Sequence, residues 1–351
     1  MQGITKTENH TQSWPSDGLE SVSMCPVCES DRRELLHQGL TDRVFFCAPG
    51  EWSMYECGAC ASAYLDPRPT AESIGLAYLQ YFTHDGVESA APDGFMQKLR
   101  QRLANGYLNY RFGAQTYPAS VLGVLVAGLM PNKRATIDAG MRNLPIAKAG
   151  ARLLDMGCGN GAFLLRARNA GWEVVGVDFD AKAVEVARAQ GLDVRLGGID
   201  NLEPFVEQFD VITMSHVIEH VHHPLEVLRV CYKLLKPGGF LWLETPNIAS
   251  EGHQLFGANW RGLEPPRHLV LFTLEAMRET LKKAGFVDME VQAYRPLCAG
   301  IFSSSKAVAE GIGPFLESRE GVSPEVLRNA EQVARYDPDR REFITIKTWK
   351  L

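Results

Sequence analysis

From residue 151 onward, short apolar runs alternate with stretches whose apolar positions recur at helical spacing. Strands are predicted at Arg152–Met156, Trp172–Val177, Asp193–Leu196, Phe209–Met214, Phe240–Glu244 and Phe286–Tyr294. Helices are predicted between them at Gly161–Ala170, Ala181–Gln190, Pro224–Leu235 and Thr273–Ala284. Alternation of this kind predicts an α/β domain whose mainly parallel sheet is covered on both faces. A last strand is expected at Glu342–Trp349, after a helical excursion at about 306–335.

Upstream the pattern differs. Residues from about 70 to 134 read mainly helical, entered at Thr70 through a Thr-x-Glu-Ser cap. Tyr78, Tyr81 and Phe82 make an aromatic cluster there that either packs in a core or lids an active site, and His84 shares both readings. The apolar run Val121–Met130 is too short to span a bilayer, which takes about 20 residues. The polar start of the chain lacks the basic region and apolar core of a signal peptide and reads as disordered. The expected organisation is therefore a tail at 1–20, a small cysteine-bearing module at 21–68, a helical linker or lid at 69–134, and the α/β domain at 135–351.

Charge and cysteine usage narrow the partners. The 351 residues carry a net charge of -6, which argues against a nucleic-acid partner. Neither composition nor any long apolar run points to a membrane, and a cytoplasmic location is expected. Eight cysteines in such a chain read as thiols and metal ligands rather than disulfides. Cys25-x2-Cys28 and Cys57-x2-Cys60 have the spacing of a zinc ribbon, in which four thiolates close a tetrahedral, structural site. Four unrelated thiols and a redox dithiol are the other readings, and Cys47 between the pairs is a spare or competing ligand.

The second candidate is Asp155-Met-Gly157-Cys-Gly159-Asn-Gly161, which follows a strand and opens a helix. Glycines there let the backbone approach a nucleotide without Cβ clashes. Asp178 ends the next strand, placed to accept both ribose hydroxyls. Ala162 completes G-x-G-x-x-A, so a nicotinamide-dependent dehydrogenase stays open. Asp155, ahead of the glycines, is placed to meet a cationic or amino-acid-like group directly. The apolar strand after Leu235-Lys-Pro-Gly-Gly239 also weighs against the dehydrogenase.

With these segments the chain resembles the class I S-adenosylmethionine-dependent methyltransferases. Asp155–Gly161 looks like their first motif, Asp178 their ribose-binding acid, and Phe209-Asp-Val-Ile their fourth-strand motif. Ser215-His-Val-Ile-Glu-His-Val is similar to the segment after that strand in ubiquinone-type members. The cysteine pairs, Asp66-Pro-Arg-Pro and Glu264-Pro-Pro-Arg-His-Leu resemble a bacterial subgroup with an N-terminal zinc ribbon, found in glycan and secondary-metabolite pathways. The resemblance implies a Rossmann-like seven-stranded sheet in the order 3-2-1-4-5-7-6 with strand 7 antiparallel. It also implies that Gly157 and Gly159 pass under the cofactor's amino-acid moiety, and that Gly198 and Ile199 flank its adenine, with Asp200 nearby. Ser215 and His216 would lie near its methionine end, where ligands sit in open α/β sheets.

The implied reaction is in-line transfer of the sulfonium methyl to a small acceptor, a sugar or secondary-metabolite hydroxyl, with carbon or nitrogen as alternatives. One side chain must remove a proton. The two prolines of Glu264-Pro-Pro-Arg267-His268 fix a rigid loop that presents Arg267 and His268; His268 is the first candidate base, and His216 and His220 are the others. Asn247 and Trp260 are candidates to orient or stack on the acceptor. Two rivals remain. His216-x-x-Glu219-His220 matches an inverted zinc-protease motif, which needs both histidines on one helical face. A zinc-ribbon adaptor with a degenerate cofactor domain is the non-enzymatic reading.

Overall fold

The computed structural model describes residues 13–78, 94–314 and 321–351. Tyr81, Phe82, His84 and the side chain of Asp200 lie outside the described parts.

The N-terminal module is an antiparallel meander of β1 (Arg33–Leu40), β2 (Trp52–Cys57) and β3 (Ala63–Leu65). Its inner face buries Trp52, Met54 and Leu65. The expected tail from residue 1 to 20 needs correction at its end. Trp14 is buried, packs edge-on against Trp52 at 5.3 Å, and donates its indole N–H to the Gly18 carbonyl and the Ser73 hydroxyl. Leu19 and Glu20 then pair with Pro69 and Arg68. One aromatic anchor outweighs the polar composition around it, because a buried tryptophan removes a large apolar area from water.

The predicted cap at Thr70 opens only a hydrogen-bonded turn and a short 3₁₀ stretch, Ile74–Tyr78. Helices α1 (Phe95–Phe112), α2 (Leu122–Leu129) and α3 (Pro131–Gly140) follow.

The central sheet begins with β4 (Arg152–Met156), β5 (Glu173–Asp178), β6 (Asp193–Leu196), β7 (Phe209–Ser215) and β8 (Leu235–Pro246). A two-residue strand, β9 (Val270–Leu271), leaves this sheet and pairs with β3, so the larger domain completes the small module's sheet. Then β10 (Val287–Val291) and β11 (Phe343–Trp349) return to the main sheet. The spatial order is β10-β11-β8-β7-β4-β5-β6. The five strands from β4 to β8 are mutually parallel, and β11 runs antiparallel between β8 and β10. Helices α4 (Ala162–Asn169), α5 (Ala181–Ala189), α6 (Pro224–Leu234), α7 (Glu251–Phe256) and α8 (Leu274–Lys283) surround it. The excursion before β11 forms α9 (Cys298–Ala309) and α10 (Pro324–Tyr336).

Strand interiors such as Leu153, Leu154, Val175, Ile212, Leu241 and Ile346 are buried on both faces, as parallel sheets require. One continuous core runs from Trp14, Trp52 and Leu65 through Ile212 and Leu243 to Ile346. Among the described residues, no helix is long and apolar enough to cross a membrane.

Candidate active site

Strands β4, β5 and β7 lie side by side and parallel, so their carboxyl ends share one side of the sheet, where open α/β sheets hold ligands in a crevice. After β4 the chain turns through three glycines at positive φ, each for its own reason. A Cβ on Gly157 would lie 2.4 Å from Val217 Cγ2, and one on Gly161 would lie 2.4 Å from Leu192 Cδ1. Gly159 (φ 52°) has nothing within 4 Å of that position, so its open side is free for a ligand. Its N–H donates to Asp178 Oδ2 at 2.7 Å, while Oδ1 accepts the Asp180 N–H at 2.9 Å. The strand-end carboxylate thus braces the glycine loop. Gly198 and Ile199 come alongside: a Cβ on Gly198 would sit 2.6 Å from Phe179 Cζ. Phe179 itself is 79% exposed, an aromatic face held beside Asp178 on the rim of the crevice. Sequence reasoning passed over it, although an apolar ring between a strand-end acid and the helix-capping Asp180 is a readable signal. This open loop, carboxylate and ring fit S-adenosylmethionine.

Asp155 faces inward. It is fully buried, and the cation it meets is Arg142 of the chain itself, with Thr213 Oγ1 donating to Oδ1 at 3.0 Å. Burial pushes this carboxyl up despite the Arg142 guanidinium beside it. The expectation that Asp155 receives a ligand's cationic group is corrected accordingly, because Arg142 already fills that role.

Ser215 ends β7 beside Glu244 of β8. His216 follows at φ 53°, a left-handed conformation unusual for a side chain with a Cβ. Its N–H donates to the Glu244 carbonyl at 2.8 Å, which fixes the turn. The imidazole, 40% exposed, sets Nδ1 3.2 Å from Glu219 Oε1 and Nε2 3.7 Å from Glu244 Oε1, with Phe343 edge-on. Glu219 is buried and takes a further bond from Thr245 Oγ1 at 2.8 Å. Burial pushes Glu219 up, but His216, His220 and His268 outweigh it and hold the carboxyl down at about 2. Burial pushes the His216 imidazole down, and the Glu219 and Glu244 carboxylates more than reverse this, leaving it above its ordinary value.

The other two histidines stand deeper. His268 Nδ1 donates to the Gly262 carbonyl at 2.7 Å, and burial drives its pKa down to about 4. The ring is therefore neutral, with its lone pair on Nε2. His220 Nδ1 lies 2.9 Å from the Arg267 carbonyl and 3.1 Å from the Tyr78 hydroxyl, and its ring meets His268 at 4.7 Å between centroids. A ring nitrogen of each, with a Glu219 carboxylate oxygen, lies within a 4.8 Å cluster. The protease geometry is absent: Ile218–His220 is a single 3₁₀ turn, so His216 and His220 face different neighbours.

Arg267, expected to be presented by its loop, is instead wholly buried. It pairs with Asp42 (Nη2–Oδ1 2.5 Å) and Glu264 (Nε–Oε1 3.0 Å) and donates to the Ala77 carbonyl. Asn247 is equally structural, donating to the carbonyls of Asp339 and Arg341 at 2.8 Å each. Trp260 is buried against Gly262, with its indole N–H on Glu342. Neither is open to an acceptor.

The four ribbon cysteines converge. Cys25 and Cys60 sulfurs are 3.7 Å apart and those of Cys28 and Cys57 3.5 Å, close to the roughly 3.8 Å edge of a zinc–thiolate tetrahedron with 2.3 Å bonds. The two turns repeat each other: the N–H groups of Cys25 and Cys57 donate to Ser30 and Ser62, and Glu29 and Ala61 both take positive φ. Cys47 is not part of the cluster. Its thiol is buried against Asp42 and the Ala77 carbonyl, which corrects its reading as a competing ligand.

Comparison with known proteins places this arrangement. A family model for a methyltransferase domain matches residues 131–291. A ubiquinone biosynthesis O-methyltransferase from Cereibacter sphaeroides is 33% identical over 167 residues, which are 44% of this chain and 68% of that protein. The counterpart from Xanthomonas oryzae pv. oryzae is 40% identical over 108 residues, spanning 28% of this chain and 44% of its own length. A crystal structure of a SAM-dependent methyltransferase from Archaeoglobus fulgidus is similar at TM-score 0.44 and 22% identity, over 65% of this chain and 99% of that one; so slight a likeness adds no weight. The chain belongs to the S-adenosylmethionine-dependent methyltransferases.

Proposed function

We propose that this enzyme methylates a hydroxyl of a small sugar or secondary-metabolite acceptor, and that His216 takes the proton. The carrying observation is the His216–Glu219 pair at the end of β7. Glu219 is ionised and can only accept, so it holds the proton of His216 on Nδ1 and leaves the lone pair on Nε2, which lies 3.7 Å from Glu244 Oε1. An imidazolium formed there is stabilised by Glu219 and Glu244. The His216 imidazole is partly exposed and its raised pKa favours taking up a proton, whereas His268 is buried and held down at about 4. His220 and His268 stand behind it and secure the Glu264 loop. The name of the Cereibacter and Xanthomonas relatives favours oxygen as the accepting atom.

Asp178, with Gly157, Gly159, Gly198, Ile199 and Phe179, would hold the cofactor. S-adenosylmethionine supplies an electrophilic methyl on a sulfonium that departs as a neutral thioether. The chain's contribution is alignment, exclusion of water and one proton transfer. A small cavity lined by Tyr294, Arg295, Cys298, Arg341, Phe343 and Thr345 adjoins His216; it has room for about one water, so we read it as one edge of the acceptor site. Arg295 and Thr345 both bond Glu244, and Phe343 touches His216, which ties the cavity to the base.

His216→Gln should lower kcat by about 10²–10³-fold with cofactor affinity nearly unchanged. In the wild type, kcat/KM should fall as acid protonates His216, on a limb lying above the ordinary histidine pKa because Glu219 and Glu244 raise it. Glu219→Gln should move that limb to lower pH. If His216→Gln keeps its rate and its acid limb while His268→Ala loses both, the base is His268 and this assignment fails.

We also propose that the four cysteines hold one structural zinc ion. Elemental analysis should give one zinc per chain, and Cys57→Ser should lose it along with thermal stability. Zinc-free protein with an unchanged unfolding temperature would reject this.

A further inference from the structure

We propose that the α1–α2 hairpin is a peripheral docking surface for an anionic lipid bilayer, contrary to the expectation drawn from overall composition. The two helices pack so closely that a Cβ on Gly106 would lie 1.8 Å from the Ser120 carbonyl oxygen, and one on Gly123 1.8 Å from that of Leu103. These two contacts set an antiparallel register that places Phe95–Leu99 beside the end of α2. Small residues at the crossing make the hairpin rigid and turn its large side chains outward. Val121 is 85% exposed and Leu129 84%, with Leu122, Leu125 and Met130 also open to solvent. Phe95, Met96 and Leu99 extend this face along α1, and Tyr110 and Tyr117 are exposed on the same hairpin. A contiguous exposed apolar face of this kind marks an interaction site.

Charge selects the occupant. From Gly94 to Ile137 there is no acidic residue, while Lys98, Arg100, Arg102, Arg111, Lys133 and Arg134 are basic, in a chain of net charge -6. All but Arg111 are exposed. A second copy docked isologously would set this positive face against itself. An anionic bilayer satisfies both features. It takes the aliphatic side chains without demanding shape, and its headgroups meet the basic ones. Exposed tyrosines suit the headgroup level. At eight residues, α2 is far too short to span the hydrocarbon, so it would lie in the interface.

The test is vesicle flotation of the full chain with phosphatidylcholine alone and with phosphatidylcholine mixed with phosphatidylglycerol. Binding should require phosphatidylglycerol and weaken with salt. Leu125→Asp/Leu129→Asp should abolish it, and Lys98→Glu/Arg100→Glu should weaken it by more than about tenfold, both with unchanged S-adenosylmethionine affinity as proof of folding. The proposal is overturned if anionic vesicles are not bound, or if the Leu125→Asp/Leu129→Asp variant binds them as well as the wild type. It is equally overturned if sedimentation shows a dimer that this variant dissolves, since the face then belongs to a second copy.

Discussion

Replacing Asp42 by Ala is expected to cost about 3 kcal/mol of folding stability, because it leaves the wholly buried Arg267 guanidinium without its main partner. Glu264 still touches Arg267, which keeps the loss at the low end of what breaking a buried pair costs. Asp42 also accepts backbone N–H bonds from Phe45, Cys47 and Ala48, so its loss loosens that turn as well. A domain of ordinary stability holds only about 5–15 kcal/mol, so the unfolding midpoint in urea should fall visibly. The double variant Asp42→Asn/Arg267→Met should recover part of the loss, because it removes the stranded charge. Burial pushes Asp42 up, but Arg267 and the backbone donors hold its pKa below the usual carboxylate range. Its contribution is therefore present above the ordinary carboxylate pKa and is lost as pH falls through the depressed value. An Asp42→Ala variant as stable as the wild type would show that the pair contributes nothing.

The second large effect concerns the cofactor. Asp178→Ala should weaken S-adenosylmethionine binding by about a hundredfold, measured by calorimetry, with little change in unfolding temperature. On the proposed reading two losses combine: an acceptor for the ribose hydroxyls, and the carboxylate that holds the Gly159 N–H. Asp178→Asn keeps an oxygen for that N–H and should lose less. Equal affinity in wild type and Asp178→Ala would remove Asp178 from the cofactor site.

What could be read from the sequence was local. Strand β4, the glycine turn and Asp178 lie within a short stretch of chain, and their spacing is set by backbone geometry, so pattern alone placed them. The two Cys-x2-Cys turns were legible for the same reason. Contacts between distant segments were not. Arg267 and Asp42 are separated by 225 positions, and nothing in either neighbourhood names the other. Arg267 therefore read as a presented cation when it is a buried buckle. Asn247 and Trp260 carry chemistry that suits an acceptor, yet the backbone carbonyls and Glu342 they satisfy belong to the segment just before β11. His216-x-x-Glu219-His220 matches a helical metal motif by spacing alone; the positive φ at His216 and the single 3₁₀ turn at Ile218–His220 break it. β9, two residues long, gives no periodic signal at all.

That short strand carries one more consequence. The N-terminal module borrows its fourth strand from beyond β8, and shares an uninterrupted interior with the domain that binds cofactor. Neither part keeps its interior dry without the other, so the chain should melt in one cooperative step. The module is accordingly no detachable cassette: grafting it onto another enzyme would carry an open sheet edge, and excising it would leave Val270 and Leu271 without the strand they complete.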